Sequence, residues 1–132
     1  CPQSVFSKGD NNTILVTWAW KVNKTLTDKF MTTEAILFPT NSSSQYKLKY
    51  KARLVSNDKG ESNSTDFWII HMDKDYTRGL IGGPSKDILS MVARNATLNS
   101  TEYDDLVSIA KDMGFDTQKL IKEDQTCGEF KL

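Results

Sequence analysis

Few side chains in this sequence have the types and spacing that chemistry needs. His71 is the only histidine. Alone it builds no metal site, and no Cys, His and Asp cluster has ligand spacing, so no metal is expected. It reads as a strand residue, with a ligand contact as the lesser alternative. Asp73 and Asp75 resemble paired acids. They flank Lys74 in a turn between apolar runs, where carboxylates cap backbone amides. Glu102, Asp104 and Asp105 cluster at a helix start and read as solvated. Gly82 and Gly83 lack the Lys and helix of a phosphate loop. Ser90 has no surrounding His and Asp to make it a nucleophile. A thiol mechanism would need Cys1 or Cys127 free. No residue is assigned to catalysis, and no cofactor is required.

The elements around these residues are mostly strands. Residues 67–94 organise the chain as three short apolar runs. The first is Phe67, Trp68, Ile69 and Ile70, the second spans 76–81, and the third spans 88–92. A polar turn at 73–75 and a Gly-Gly-Pro-Ser breaker at 82–85 separate them. Such short gaps predict antiparallel hairpins, the unit of up-and-down barrels. Residues 13–23 alternate most clearly. Ile14, Val16, Trp18, Trp20 and Val22 share one face, and Thr13, Leu15, Thr17, Ala19 and Lys21 share the other. Residues 45–54 alternate again, with Tyr46, Leu48, Tyr50, Ala52 and Leu54 opposite Lys47, Lys49, Lys51 and Arg53. One wet face and one dry face is the pattern of a barrel wall. Residues 2–8 and 27–38 are further strands, 39–44 a loop, and 55–66 a polar loop.

After residue 94 the period changes from two to 3.6. Tyr103, Leu106, Val107, Ala110 and Met113 fall on one helical stripe, with Asp104, Asp105, Ser108, Lys111 and Asp112 opposite. Thr101 is the expected cap and Gly114 the expected stop. Leu120 and Ile121 suggest a last short strand. The predicted fold is all-β: an antiparallel up-and-down barrel, with one C-terminal amphipathic helix packed outside it. The whole chain, 1–132, reads as one domain.

Composition narrows the function classes. The chain has 132 residues, with 17 basic and 17 acidic side chains. Nucleic acid and anionic membranes would call for a basic surplus. No apolar run is long enough for a membrane-spanning helix. N-x-S/T sequons occur at Asn11, Asn23, Asn41, Asn63, Asn95 and Asn99, nearly all in predicted turns or strand ends. They point to glycosylation in a secretory pathway, hence to a secreted or lumenal protein whose signal has been removed. In an oxidising compartment Cys1 and Cys127 would bridge nearly the whole chain; two free thiols are the alternative.

These residues resemble the lipocalins, and within them the group containing apolipoprotein D and the bacterial and plant temperature-induced forms. That group's pattern runs aromatic-Trp strand, Asp-x-Asp-Tyr turn, Val-Gly-Asp-Pro turn, then a strand ending in Arg. Here it reads Phe67 and Trp68; Asp73, Lys74, Asp75 and Tyr76; Ile81, Gly82, Gly83 and Pro84; and Arg94. The helix and the following GFDTQKLI match as well, and Cys1 and Cys127 occupy the places of the group's long-range disulfide. Three departures stand out. The chain starts after the family's Gly-x-Trp strand, so the resemblance implies a processed protein, or a first strand supplied by a companion peptide. Arg94 then lacks its usual Trp partner, a role Trp18 or Trp20 would fill. Ser90 stands where the family has a Trp, and Ala96 where it often has a Pro.

The resemblance implies a ligand cavity on the dry face. Alternation nominates Val16, Trp18, Trp20, Met31, Leu48, Tyr50 and Val92 as its lining; Phe6 and Ser90 match pocket positions of the family. The expected function is binding, carrying or sequestering a small hydrophobic ligand: a fatty acid, retinoid, steroid or linear tetrapyrrole. An enzyme acting on a lipophile, or a protein-interaction module with a filled barrel, are the competing readings. Lipidation of Cys1 is a minor one.

Overall fold

The computed structural model describes residues 2–21, 30–50 and 64–131. Cys1, Val22, Asn23, Asn63, the expected strand positions 27–29 and 51–54, and positions 55–63 of the expected loop lie outside them. Two compact units are present: Cys1–Thr65 with Glu123–Leu132, and Asp66–Lys122.

The first unit is an antiparallel meander of β1 (Gln3–Lys8), β2 (Ile14–Trp20), β3 (Met31–Pro39) and β4 (Gln45–Tyr50). Successive strands pair in turn. The β1–β2 reversal is built by Asn11 and Asn12, both in the left-handed region at φ 52° and 61°. Asn tolerates this region better than most residues. The Gly9 amide donates to Thr13 O at 2.9 Å, and Thr13 returns amide and hydroxyl bonds to Asp10 O at 3.0 and 2.6 Å. In the 40–44 turn the Thr40 hydroxyl donates to Gln45 O at 2.7 Å. Val16, Thr17, Ala19, Ala35, Leu37 and Leu48 are buried.

The C-terminal segment docks on the start of β1. The Gln3 side chain donates to Gly128 O at 2.6 Å and accepts from the Phe130 amide at 2.8 Å. Gln125 donates to Pro2 O at 3.1 Å. Phe130 meets Phe30 edge-on at 5.4 Å between centroids.

The second unit contains β5 (Thr65–Met72) from Asp66 on, β6 (Arg78–Gly82), β7 (Leu89–Ala93) and helix α1 (Ser100–Asp112). Again the strands pair antiparallel in order. Leu80, Leu106, Ala110 and Phe115 form the buried core between sheet and helix, with Ile70, Leu89, Met91, Leu98 and Ile109 around it. Gly82 is needed for this closeness: a Cβ there would lie 2.9 Å from Ile88 O and 3.2 Å from Phe115 Cζ.

Several boundaries differ from the sequence reading. The helix is capped by Asn99, not Thr101. Asn99 Oδ1 accepts from the Glu102 amide at 2.8 Å, and Glu102 accepts from the Asn99 amide at 2.9 Å, a reciprocal capping box. Gly114, at φ 88°, does end the helix, and the Phe115 amide closes back to Ala110 O at 3.1 Å. Met113, placed on the apolar stripe, is 39% exposed, because the chain turns away after Asp112. Leu120 and Ile121 form no strand; a short 3-10 turn at Thr117–Lys119 precedes them, and Ile121 is exposed. Tyr76 and Thr77 belong to the β5–β6 turn, with Tyr76 at φ 57°. Ile88 precedes β7 and is exposed, and Arg94 lies just beyond it. Thr65 and Asp66, read as loop, already belong to β5.

Candidate functional site

Register decides which side chains can share a surface, because directly paired residues in a ladder project to the same side. In the first unit Phe6 pairs with Val16, Val16 with Ala35, and Ala35 with Tyr50. A neighbouring row runs Lys8, Ile14, Leu37 and Leu48; another joins Ser4, Trp18 and Thr33; Trp20 pairs with Met31. Phe6, Val16, Trp18, Trp20, Met31, Leu48 and Tyr50 therefore lie on one face of the meander. Within single strands, period two alone groups Val16 with Trp18 and Trp20, and Leu48 with Tyr50.

That face is dry at its centre and open at its margins. Val16, Ala35, Leu37 and Leu48 are buried. Trp18, Trp20 and Tyr50 are half-buried, while Phe6 and Met31 are 47% and 52% exposed. The aromatic contact joins Trp18 to Tyr50, with centroids 5.7 Å apart and planes at 49°. Thr33 and Ala35 of the intervening β3 are small enough to let the rings meet. At the β1–β2 end an open recess of about 360 Å³ is lined by Phe6, Ser7, Lys8, Asn12, Thr13 and Ile14. The opposite face carries Glu34, Lys47 and Lys49, with Lys49 Nζ 5.5 Å from the Phe38 ring centroid.

In the second unit Ile81 pairs with Ser90 and Gly79 with Val92, while Leu80 pairs with Met91. Leu80 and Met91 face the helix. Ser90 and Val92 therefore project from the face the helix leaves uncovered; Ser90 is exposed and Val92 half-buried.

A polar cluster that the sequence reading missed sits between the β5–β6 turn and the helix. Asp73 was expected to cap backbone amides, but its carboxylate instead bridges two side chains. Oδ1 meets His71 Nε2 at 2.9 Å, and Oδ2 accepts from Arg78 Nε. The guanidinium also lies 3.9 Å from both Glu102 Oε1 and Asp105 Oδ2. These two helix acids thus face a cation across the turn. The Arg78 bond, then the His71 bond, hold the Asp73 carboxyl below its usual value, and Asp73 raises Arg78 in return. Asp75 does cap, accepting from the Thr77 amide and hydroxyl at 3.3 and 2.8 Å. A bulge between Ile69 and His71 shifts the side-chain phase, so His71 pairs with Leu80, whose side chain faces the helix. Only its partners, five to twenty-seven residues away in sequence, mark Arg78; no local pattern does. Arg94 Nε donates to Tyr76 O at 2.8 Å, so a backbone carbonyl engages its guanidinium. Among the described residues no group of His, Cys, Asp and Glu could hold a metal ion.

Up-and-down antiparallel strands followed by one helix are the elements of an antiparallel β-barrel class. Comparison with known families places the chain within that class. The model of the lipocalin-like domain matches residues 3–125, so the chain belongs to the lipocalin-like family. Temperature-induced lipocalin-1 of Arabidopsis thaliana is 38% identical over 61 residues, which is 46% of this chain. The match spans 33% of that relative's length. Antiparallel strands with one C-terminal helix are consistent with the lipocalin barrel. Lipocalins are in general binding proteins for small hydrophobic molecules.

Proposed function

We propose that this protein binds, carries or sequesters a small hydrophobic molecule, without chemistry, as a single lipocalin-like domain. The carrying observation is the shared face of Phe6, Val16, Trp18, Trp20, Met31, Leu48 and Tyr50. Ser90 and Val92 lie on the strand face of the second unit that is opposite its helix. Affinity comes from removing apolar ligand surface from water, at about 25 cal/mol per Å². The Trp18–Tyr50 pair offers a wall for a flat or chain-like lipophile, whether fatty acid, retinoid, steroid or linear tetrapyrrole.

Secretion, sugars and a disulfide belong to the same proposal. The described sequon residues Asn11, Asn41, Asn95 and Asn99 are all exposed, which supports glycosylation. A Cys1–Cys127 bridge is supported by the docking of the C-terminal segment on β1, where Gln3 Nε2 lies 3.8 Å from Cys127 Sγ.

Tryptophan fluorescence, titrated with a panel of fatty acids, retinoids, steroids and tetrapyrroles, tests the function. Saturable quenching that weakens in Trp18→Ala is expected. Absence of quenching by every member of the panel would overturn it.

A further inference from the structure

The C-terminal segment is held on the side of the meander that faces away from the proposed ligand face. Gln3, which grips it, projects on the side of its ladder partner Ala19, opposite Trp18 and Trp20, and Ala19 is fully buried. The Gln3 side chain holds two points of the segment at once, donating to Gly128 O at 2.6 Å and accepting from the Phe130 amide at 2.8 Å. Phe130 is thereby fixed edge-on beside Phe30, with centroids 5.4 Å apart and planes at 62°. Lys21 Nζ lies over the same Phe30 ring, 4.8 Å from its centroid. Lys21 and Phe30 are the residues immediately beyond Trp20 and Met31, the pair that ends the described β2–β3 ladder. That pair is also the margin of the ligand face, with Trp20 half-buried and Met31 exposed. The end of a ladder opens most readily. Here a ring from the far end of the chain braces it from behind.

We propose that the C-terminal segment is a strap that governs how long a ligand stays, with Phe130 as its positioning residue. Phe130 acts through Phe30: it keeps the Trp20–Met31 pair closed, so that the Trp20 ring is in place before a ligand arrives. This rests on the binding function proposed above and adds to it a residue that determines retention. Pre-organisation lowers the ordering cost of binding, and its loss shows mainly as faster dissociation. An edge-on ring contact is geometric, so another ring at position 130 keeps it and an aliphatic side chain does not.

Fluorine NMR of protein carrying 5-fluorotryptophan at Trp18, Trp20 and Trp68 tests the brace without any ligand. The Trp20 resonance, assigned by its loss in Trp20→Phe, is expected to shift or broaden in Phe130→Leu and to return in Phe130→Tyr, while Trp68 of the other unit stays unmoved. Stopped-flow dissociation of retinol should be about threefold to tenfold faster in Phe130→Leu, the factor an aromatic pair is worth. It should stay near the wild-type rate in Phe130→Tyr and in Glu129→Ala, an exposed neighbour in the same segment. A Trp20 resonance unmoved by Phe130→Leu, or a change that reaches Trp68 equally, overturns the brace. A Trp20 resonance that moves while retinol leaves at the wild-type rate overturns the hold on the ligand. Each of these leaves the general binding function standing. Wild-type protein that binds neither retinol nor any other member of the lipophile panel overturns that function, and the role in retention with it.

Discussion

Trp18 and Tyr50 touch across a strand that separates them. Their rings come from β2 and β4 and meet at 5.7 Å because β3 presents Thr33 and Ala35 between them. The contact therefore depends on a small residue at position 35. Ala35→Leu forces a branched side chain into a fully buried position, with an expected loss of about 1–3 kcal/mol in chemical denaturation. Trp18 fluorescence should change with it, as the rings part. A double-mutant cycle of Trp18→Ala and Tyr50→Ala should return a coupling of about 0.5–1.5 kcal/mol.

The Asp73 cluster makes a pH prediction with a definite sign. Its folded carboxyl is held below the ordinary value, so its stabilisation is present above that value and disappears as pH falls through the lowered one. Asp73→Asn should melt at lower temperature than wild type at neutral pH. The two melting curves should converge under strongly acidic conditions, below the ordinary carboxylate value of 3.8. Parallel pH profiles for the two proteins would contradict the assignment.

Asn99 has two claims on its side chain, a helix cap and a sequon, and substitutions separate them. Asn99→Ala removes the cap and should cost about 1 kcal/mol. Asn99→Asp keeps an equally good cap and removes the sequon, and Thr101→Ala removes the sequon alone. In unglycosylated protein, urea denaturation should therefore show a loss for Asn99→Ala and almost none for the other two. In material from a secretory host, intact mass should drop by one glycan in all three variants if Asn99 is glycosylated.

The helix and sheet of the second unit are joined by few but deeply buried groups. Leu106→Ala should cost about 2–5 kcal/mol, as core Leu truncations do. Gly114→Ala, at φ 88°, should cost about 1–2 kcal/mol through left-handed strain alone. A larger effect for Gly114 than for Leu106 would mean that the turn, not the core, holds the helix.

Much of this architecture is legible in the sequence. Period two in β2 and β4 placed Val16, Trp18, Trp20, Leu48 and Tyr50 on one face, because a strand offers only two faces and one is dry. The Gly82 to Ser85 breaker and Gly114 marked real turns for backbone reasons. The misreadings have a common cause. In β5 the residues from Phe67 to Ile70 are apolar on both sides, and the bulge after Ile69 resets the phase, so alternation could not assign His71. Arg78 looked like an ordinary strand residue because its acids lie at positions 73, 102 and 105. Only folding brings them together. The capping box at Asn99 and Glu102 is present in the sequence, but Thr101, two residues on, is a competing cap of the same chemistry.

Gln3 grips both Gly128 and Phe130, and Gln125 reaches Pro2, so the first and last described segments of backbone are next-door neighbours. A short linker could join them, with the chain reopened in the 40–44 turn. Such a circular permutant would preserve the pairings of β1 with β2 and β2 with β3 while moving both ends to the other side of the meander.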